Sequence, residues 1–161
     1  MVVTLSGELV VGAAGATLTG PPALLFNISG DEITGPSAFS VAPLANETRL
    51  EGEGQLGNGT IELTNAASGS IFSLGTGTLT LNTGANTILN AGVIASEGTG
   101  GLTISSPVDN TGELIAYSSP PTVSGAVTGN GTAELENAAN LIFDGNFNRA
   151  IEHSSQCHRS N

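Results

Sequence analysis

The 161-residue chain contains no tryptophan and no lysine, and its single cysteine is Cys157. One cysteine excludes an internal disulfide and any metal site that needs two or more thiolates. Aromatic residues make up only 4% of the chain, so any core must be aliphatic. No run approaches the ~18 apolar residues that a membrane-spanning helix needs, and we therefore expect no membrane insertion.

Positive charge is also scarce, because three arginines stand against 14 acidic residues and the net charge is −11. Nucleic-acid binding draws its affinity from lysine and arginine contacts with phosphate, so we expect no nucleic-acid partner. An anionic membrane surface is unfavourable for the same reason. The acidity is best explained by solubility, since like charge opposes self-association. A specific cation-binding role is the alternative.

Glycine, by contrast, is abundant, at 23 of 161 residues. Glycine and asparagine interrupt short aliphatic segments, a pattern that indicates many tight turns and argues against long helices. One stretch recurs: residues 57–67 read GNGTIELTNAA and residues 129–139 read GNGTAELENAA, identical at nine of eleven positions. Such recurrence predicts a stack of similar units.

Regular alternation and spacing extend over residues 50–147. In 77–81 leucine alternates with threonine, and 101–105 repeats the arrangement, as expected for strands whose successive side chains face opposite sides. Asn-Ala-Gly at 90–92 is followed by Asn-Thr-Gly at 110–112. A period near 20 with two or three strands predicts a β-solenoid, in which asparagines at equivalent corners can stack in ladders.

The predicted strands within the regular region are 60–64, 70–74, 78–82, 87–90, 93–96, 102–105, 113–117, 122–127, 133–136 and 141–144. Two further strands are predicted at 9–11 and 16–19. Alternation predicts that the interior is lined by Leu79, Leu81, Leu102, Ile104, Val123 and Leu135. The side chains of Thr80, Thr103 and Glu134 are expected to face water.

The fold class that follows is all-β, a right-handed parallel β-helix with about five regular rungs, where a rung is one circuit of the coil. These rungs are assigned to residues 50–147. Residues 1–49 are predicted to form irregular N-terminal rungs or a cap, because prolines interrupt them and proline cannot donate to a strand ladder. Residues 148–161 lack glycine and alternation, and they are predicted to form a disordered tail outside the repeats.

Three segments combine short alternating strands with Gly/Asn corners: GTGTLTLNTGANTILNAGVIAS at 75–96, GTGGLTISSPVDNTGELIAY at 98–117 and TVSGAVTGNGTAELENAANLIFDG at 122–145. They resemble the β-helix repeats of autotransporter passengers and related large bacterial surface proteins. The resemblance implies a structural or adhesive segment of a secreted or surface-displayed bacterial protein. It also implies contact with a host surface, extracellular matrix or polysaccharide, and with neighbouring repeats of a longer chain. The stretch 1–20 lacks the features of a signal peptide, so we expect no export signal in this chain.

A polysaccharide lyase or hydrolase on the same fold is the alternative function. Glycoside hydrolysis needs two carboxylates at a defined separation. Acidic residues are scattered through the regular region, among them Glu62, Glu97, Asp109, Glu113, Glu134 and Glu136. Asp109 and Glu113 are the nearest pair to that description, and no basic residue lies near them in the sequence. We therefore expect no enzymatic activity and assign no catalytic residue.

A calcium-binding repeat protein is the second alternative. The nearest acidic fragments are Gly-Asp-Glu at 30–32 and Asp-Gly-Asn at 144–146, and each alone supplies too few oxygens for an ion that takes about six to eight. His153, Cys157 and His158 offer three donors for zinc without a fourth, which favours adventitious binding. We therefore expect no metal site and no cofactor.

Overall fold

A computed structural model describes residues 2–20, 24–27, 31–37, 40–136 and 142–143. These residues contain twenty strands and no helix. The strands form three parallel sheets, here called A, B and C, that stack as a β-solenoid of about six rungs. The prediction of an all-β parallel solenoid is confirmed.

Each strand pairs with the strand three places away in the chain, so the chain passes through sheets A, B and C in turn. Sheet A contains β1 (Val2–Leu5), β4 (Leu24–Asn27), β7 (Arg49–Gly52), β10 (Ser70–Ser73), β13 (Val93–Ser96), β16 (Glu113–Ala116) and β19 (Thr132–Leu135). Sheet B contains β2 (Glu8–Val10), β5 (Glu32–Thr34), β8 (Gly54–Gly57), β11 (Leu79–Leu81), β14 (Leu102–Ile104), β17 (Thr122–Val123) and β20 (Ile142–Phe143). Sheet C contains β3 (Ala16–Leu18), β6 (Ala42–Asn46), β9 (Ile61–Asn65), β12 (Ile88–Asn90), β15 (Val108–Asn110) and β18 (Val127–Thr128).

Parallel register converts the alternation of the sequence into columns of stacked side chains. Leu81 pairs with Ile104, which pairs with Val123, and each is at most 1% exposed. Thr80 and Thr103, between buried neighbours, are half-exposed, as predicted. Of the predicted interior residues only Leu135 is not fully buried, and it lies in β19, the last strand of sheet A among the described residues.

The core is narrow and filled with aliphatic side chains, and every sheet contributes one main column of them. The columns are Leu50, Ile71, Ile94 and Leu114 from sheet A; Ile33, Leu56, Leu81, Ile104 and Val123 from sheet B; and Leu44, Leu63, Ile88, Val108 and Val127 from sheet C. Successive members lie one strand spacing apart, ~4.8 Å. Burial of each such side chain is worth about 1.5–3 kcal/mol relative to exposure.

The stacking also runs through residues 1–49, which were predicted to form irregular N-terminal rungs or a cap. Strands β4, β5 and β6 pair with β7, β8 and β9 across residue 49. The period is hidden there because prolines interrupt the pattern. Circuit length also varies along the coil: the circuits from Leu25 to Leu50 and from Leu56 to Leu81 are longer than the circuit from Leu114 to Ala133. An isolated bridge between Ser37 and Ser40 lies in this part of the chain.

Pro43 lies inside β6, although proline was expected to break a strand. The amide of the preceding Ala42 donates to the Thr60 carbonyl of the next rung, and successive residues of a parallel strand point their backbone groups to opposite sides. The missing N–H of Pro43 therefore faces the previous rung, where pairing begins only at the next residue, Leu44. Gly15 completes the fit, because a Cβ there would lie 2.5 Å from the Pro43 carbonyl oxygen.

The recurring stretch does not occupy equivalent positions in the coil. Residues 57–60 lead from sheet B into β9 of sheet C, whereas residues 129–132 lead from sheet C into β19 of sheet A. The recurrence therefore does not mark the period of the coil. The two copies also differ in backbone conformation, because Asn58 has a φ of 64° and Asn130 has no positive φ. Asparagine and glycine tolerate both conformations, so one sequence serves two different corners.

Two other sequence assignments differ in detail. Residues 122–127, predicted as one strand, form β17 and the start of β18 on different sheets, and β15 was not predicted. The residues between β17 and β18 turn from sheet B to sheet C. The part of 141–144 that is described forms β20, which pairs with β17. The predicted tail 148–161 lies outside the described residues.

Ile104 and Thr103 provide a direct test of which face of β14 is buried. We expect Ile104→Ala to lower the free energy of unfolding by about 2–5 kcal/mol, because a narrow aliphatic core cannot collapse around the cavity. Thr103→Ala should change it by no more than about 0.5 kcal/mol, as at most surface sites. Denaturant unfolding measures both, and a larger cost for Thr103→Ala would show that the strand faces are reversed.

Candidate functional site

A column of buried asparagines lies at the corner where sheet C leads into sheet A. Asn46, Asn65, Asn90 and Asn110 end strands β6, β9, β12 and β15, and each is at most 4% exposed. The Nδ2 group of each donates to the Oδ1 atom of the next, at 2.9, 2.8 and 2.7 Å. The four residues form a continuous asparagine ladder along the rod.

The remaining amide hydrogens bind the backbone of the next sheet. Asn46, Asn65, Asn90 and Asn110 also donate to the carbonyl oxygens of Ser70, Val93, Glu113 and Thr132, at 3.0–3.2 Å. These carbonyls belong to the first residue of four successive sheet A strands. The ladder therefore holds the corner closed, and its polar groups serve stacking rather than a ligand.

The outer face of sheet A carries the one basic side chain of the described residues, Arg49. Its guanidinium forms an ion pair with Glu51 and lies 4.5 Å from the centroid of the Phe72 ring. Glu51 is only 5% exposed and pairs with Phe72 in register. The ion pair and the cation–π contact both occupy the same guanidinium, so Arg49 is committed to this packing.

Farther along the same face, carboxylates surround the single tyrosine. Glu97, Tyr117 and Glu136 each follow the last residue of a sheet A strand, so they lie in one column. Burial raises the pKa of the Tyr117 phenol above its ordinary value of 10.0, and the negative charges of nearby glutamates raise it further. In decreasing order of effect, these glutamates are Glu136, Glu97, Glu134 and Glu113. The signal in the sequence that reveals this group is its spacing, because the steps from Glu97 to Tyr117 and from Tyr117 to Glu136 each match one rung.

The carboxylates considered for catalysis are divided between sheets. Asp109 lies in β15 of sheet C and Glu113 lies in β16 of sheet A, on either side of an asparagine corner. Asp109 is half-exposed between buried neighbours and Glu113 is exposed, so both side chains point outwards from different sheets. Closeness along the chain therefore does not place them on a common face.

A groove on the outer face of sheet C has a volume of about 340 Å³. It lies where the loop before β3 rises beside β6 and β9. Glu62 is the carboxylate among its lining residues, which are Ala14, Gly15, Ala16, Thr17, Pro43, Leu44, Ala45, Glu62 and Thr64. A single carboxylate does not provide the pair that glycoside hydrolysis uses.

Metal-binding groups do not converge within the described part of the chain, which holds no cluster of three or more His, Cys, Asp or Glu side chains able to bind an ion. In the fragment at 30–32, Asp31 accepts from the Gly7 amide and Glu32 accepts from the Gln55 side chain. The fragment 144–146 and the donors His153, Cys157 and His158 lie outside the described residues. None of the residues described forms a helix that could cross a membrane.

Comparisons with known proteins add no family: no family model matches the chain, and neither the curated proteins nor the solved structures contain a significant match.

Asn90 and Leu89 are adjacent in β12, and substituting each of them tests how much the asparagine ladder contributes to stability. Asn90→Ala removes the donor to Asn110 Oδ1 and the acceptor of Asn65 Nδ2, and each buried unsatisfied group costs about 1–3 kcal/mol. We expect this variant to lose about 2–4 kcal/mol of unfolding free energy. Leu89 is 48% exposed, and Leu89→Ala should change stability by no more than about 0.5 kcal/mol. Chemical denaturation of both variants decides, and equal losses would contradict a structural ladder.

Tyr117 is the only tyrosine, so its ionisation can be followed by ultraviolet absorbance. We expect a midpoint above 10.0 in the folded protein, close to 10.0 in denaturant, and lowered by Glu136→Gln. Because the folded pKa is raised, the associated stability is fully present below pH 10 and is lost as pH rises through the folded midpoint. Glu62→Gln, on sheet C, is the control and should leave the midpoint unchanged. A folded midpoint at or below 10.0 would contradict the assignment.

Proposed function

We propose that this chain is a structural, adhesive β-solenoid segment of a secreted or surface-displayed bacterial protein, without catalytic activity. The observation that carries the proposal is the asparagine ladder, whose side-chain amides form hydrogen bonds from one rung to the next. Each rung of a solenoid contacts only its neighbours, which gives a rod that displays side chains on its outer faces. About six rungs correspond to a rod roughly 30 Å long.

The sequence resemblance to autotransporter-passenger repeats supports export and a role at the cell surface. Charge restricts the contacts that such a rod can make. With a net charge of −11, the rod repels polyanions such as acidic polysaccharides. The proposed partners are therefore host-surface or matrix proteins and neutral polysaccharides, together with neighbouring repeats of a longer chain.

Binding and turnover assays on the full chain test this proposal. We expect retention on at least one coated surface among collagen, fibronectin and a neutral glucan, and none on an albumin-coated control. Incubation with pectin, alginate or the glucan should release no unsaturated product and no new reducing ends. Retention on none of the coatings would contradict the adhesive role.

The two alternatives give distinct results in the same experiment. Turnover that is lost on Asp109→Asn or Glu113→Gln would show a polysaccharide-acting enzyme and overturn the proposal. A rise in the unfolding temperature with added calcium, reversed by a chelator, would instead show a calcium-binding repeat protein, because an ion that binds only the folded state stabilises it. Magnesium at the same concentration is the control for ionic strength.

A further inference from the structure

We propose that Asn130 is a site of spontaneous deamidation in the folded protein and that Asn58 is protected from the same reaction. Each asparagine precedes glycine within an identical tetrapeptide, Gly-Asn-Gly-Thr, at 57–60 and at 129–132. Both asparagine side chains are exposed. The local sequences are therefore matched, and the two corners differ in backbone conformation, since Asn58 has a φ of 64° and Asn130 has no positive φ, and in their position in the stack. This inference concerns the 161-residue chain by itself, without the neighbouring repeats proposed above, and does not rest on an adhesive role.

The reaction needs only water. The backbone nitrogen of the following glycine attacks the asparagine Cγ atom, its proton passes to a water-derived base, and the side-chain amide leaves as ammonia. The resulting five-membered imide is opened by water to give aspartate or isoaspartate. Glycine favours ring closure because it has no side chain to obstruct the attacking nitrogen. A backbone N–H that is held in a hydrogen bond cannot attack until that bond opens.

The corner at 57–60 is held from both sides. The Gly59 amide donates to the Asn82 carbonyl of the following rung at 2.8 Å. On the other side, the Ala42 amide donates to the Thr60 carbonyl, and the Gly35 amide donates to Thr60 Oγ1. Thr60 is 9% exposed. Freeing the Gly59 nitrogen therefore requires separation of rungs in the middle of the stack.

The corner at 129–132 is held from the preceding rung. The Gly131 amide donates to the Asn110 carbonyl at 2.8 Å, and the Thr132 amide donates to the Gly112 carbonyl at 2.8 Å. Strands β18 and β19 are the last of sheets C and A, and no strand that the structure describes pairs with their other edges. Thr132 is exposed, whereas Thr60, at the same place in the tetrapeptide, is buried.

Opening at the end of a stack costs less than opening in its middle, because local unfolding free energies range from near zero at frayed ends to the global value in the core. The Gly131 nitrogen is therefore released more often than the Gly59 nitrogen. The product changes the structure locally: deamidation adds one negative charge, and isoaspartate inserts a methylene into the backbone between residues 130 and 131. That insertion shifts the amide of Thr132 away from the Gly112 carbonyl and weakens the pairing of β19.

Peptide mapping after incubation at mildly alkaline pH measures both sites at once. Cleavage after glutamate separates Asn58, in the peptide 54–62, from Asn130, in the peptide 114–134, and neither peptide contains another asparagine. We expect the folded chain to deamidate at Asn130 at least about tenfold faster than at Asn58, since each 1.4 kcal/mol of opening free energy is worth about tenfold. In guanidinium chloride the two rates should agree within about twofold, because the local sequences match.

Controls separate the structural effect from intrinsic chemistry. Asn130→Gln should abolish the modification of peptide 114–134, because glutamine would have to close a larger ring, and should leave the rate at Asn58 unchanged. Amide hydrogen exchange should be faster at Gly131 than at Gly59 in the unmodified chain. Equal rates in the folded chain, or faster reaction at Asn58, would overturn the proposal.

Discussion

The register of parallel backbone pairing is the constraint on which the rest of the structure depends. Because each strand pairs in register with the strand one rung earlier, every side chain lies above a side chain at the same position in the coil. A column is stable only if its members suit one another. Aliphatic side chains satisfy this by packing, and asparagine satisfies it because its amide carries both a donor and an acceptor. The ladder from Asn46 to Asn110 shows the second solution inside the rod.

The same constraint shapes the outer surface. On sheet A it places Glu51 against Phe72, with Arg49 over the ring, and it aligns Tyr117 with Glu97 and Glu136. A tyrosine between two glutamates separates like charges that would otherwise be stacked one rung apart. The corners, in contrast, separate residues that are close in sequence: Asp109 and Glu113 lie on different sheets and face different directions. An outer surface organised by columns suits extended contacts, which accords with the proposed adhesive role.

Stability is unequal along such a rod, because inner rungs have neighbours on two sides and end rungs have them on one. Thr60 and Thr132 occupy the same place in identical tetrapeptides, yet one is buried and the other exposed. Leu81 and Leu135 show the same difference in the core, where the last strand of sheet A leaves its leucine half-buried. Chemical ageing and local opening are therefore expected to begin at the ends.

The sequence by itself determined the fold class, the aliphatic core and the facing of β11 and β14, because alternation and the regular spacing of Asn-x-Gly corners follow directly from strand and turn geometry. It did not reveal strands β4, β5 and β6, where Pro43 interrupts the pattern. It also did not show which residues share a face: the separation of Asp109 from Glu113 and the group around Tyr117 depend on where each corner lies. Only the tertiary structure decided these points, because the length of each rung sets which residues stack, and identical corner sequences such as Gly-Asn-Gly-Thr fit more than one corner.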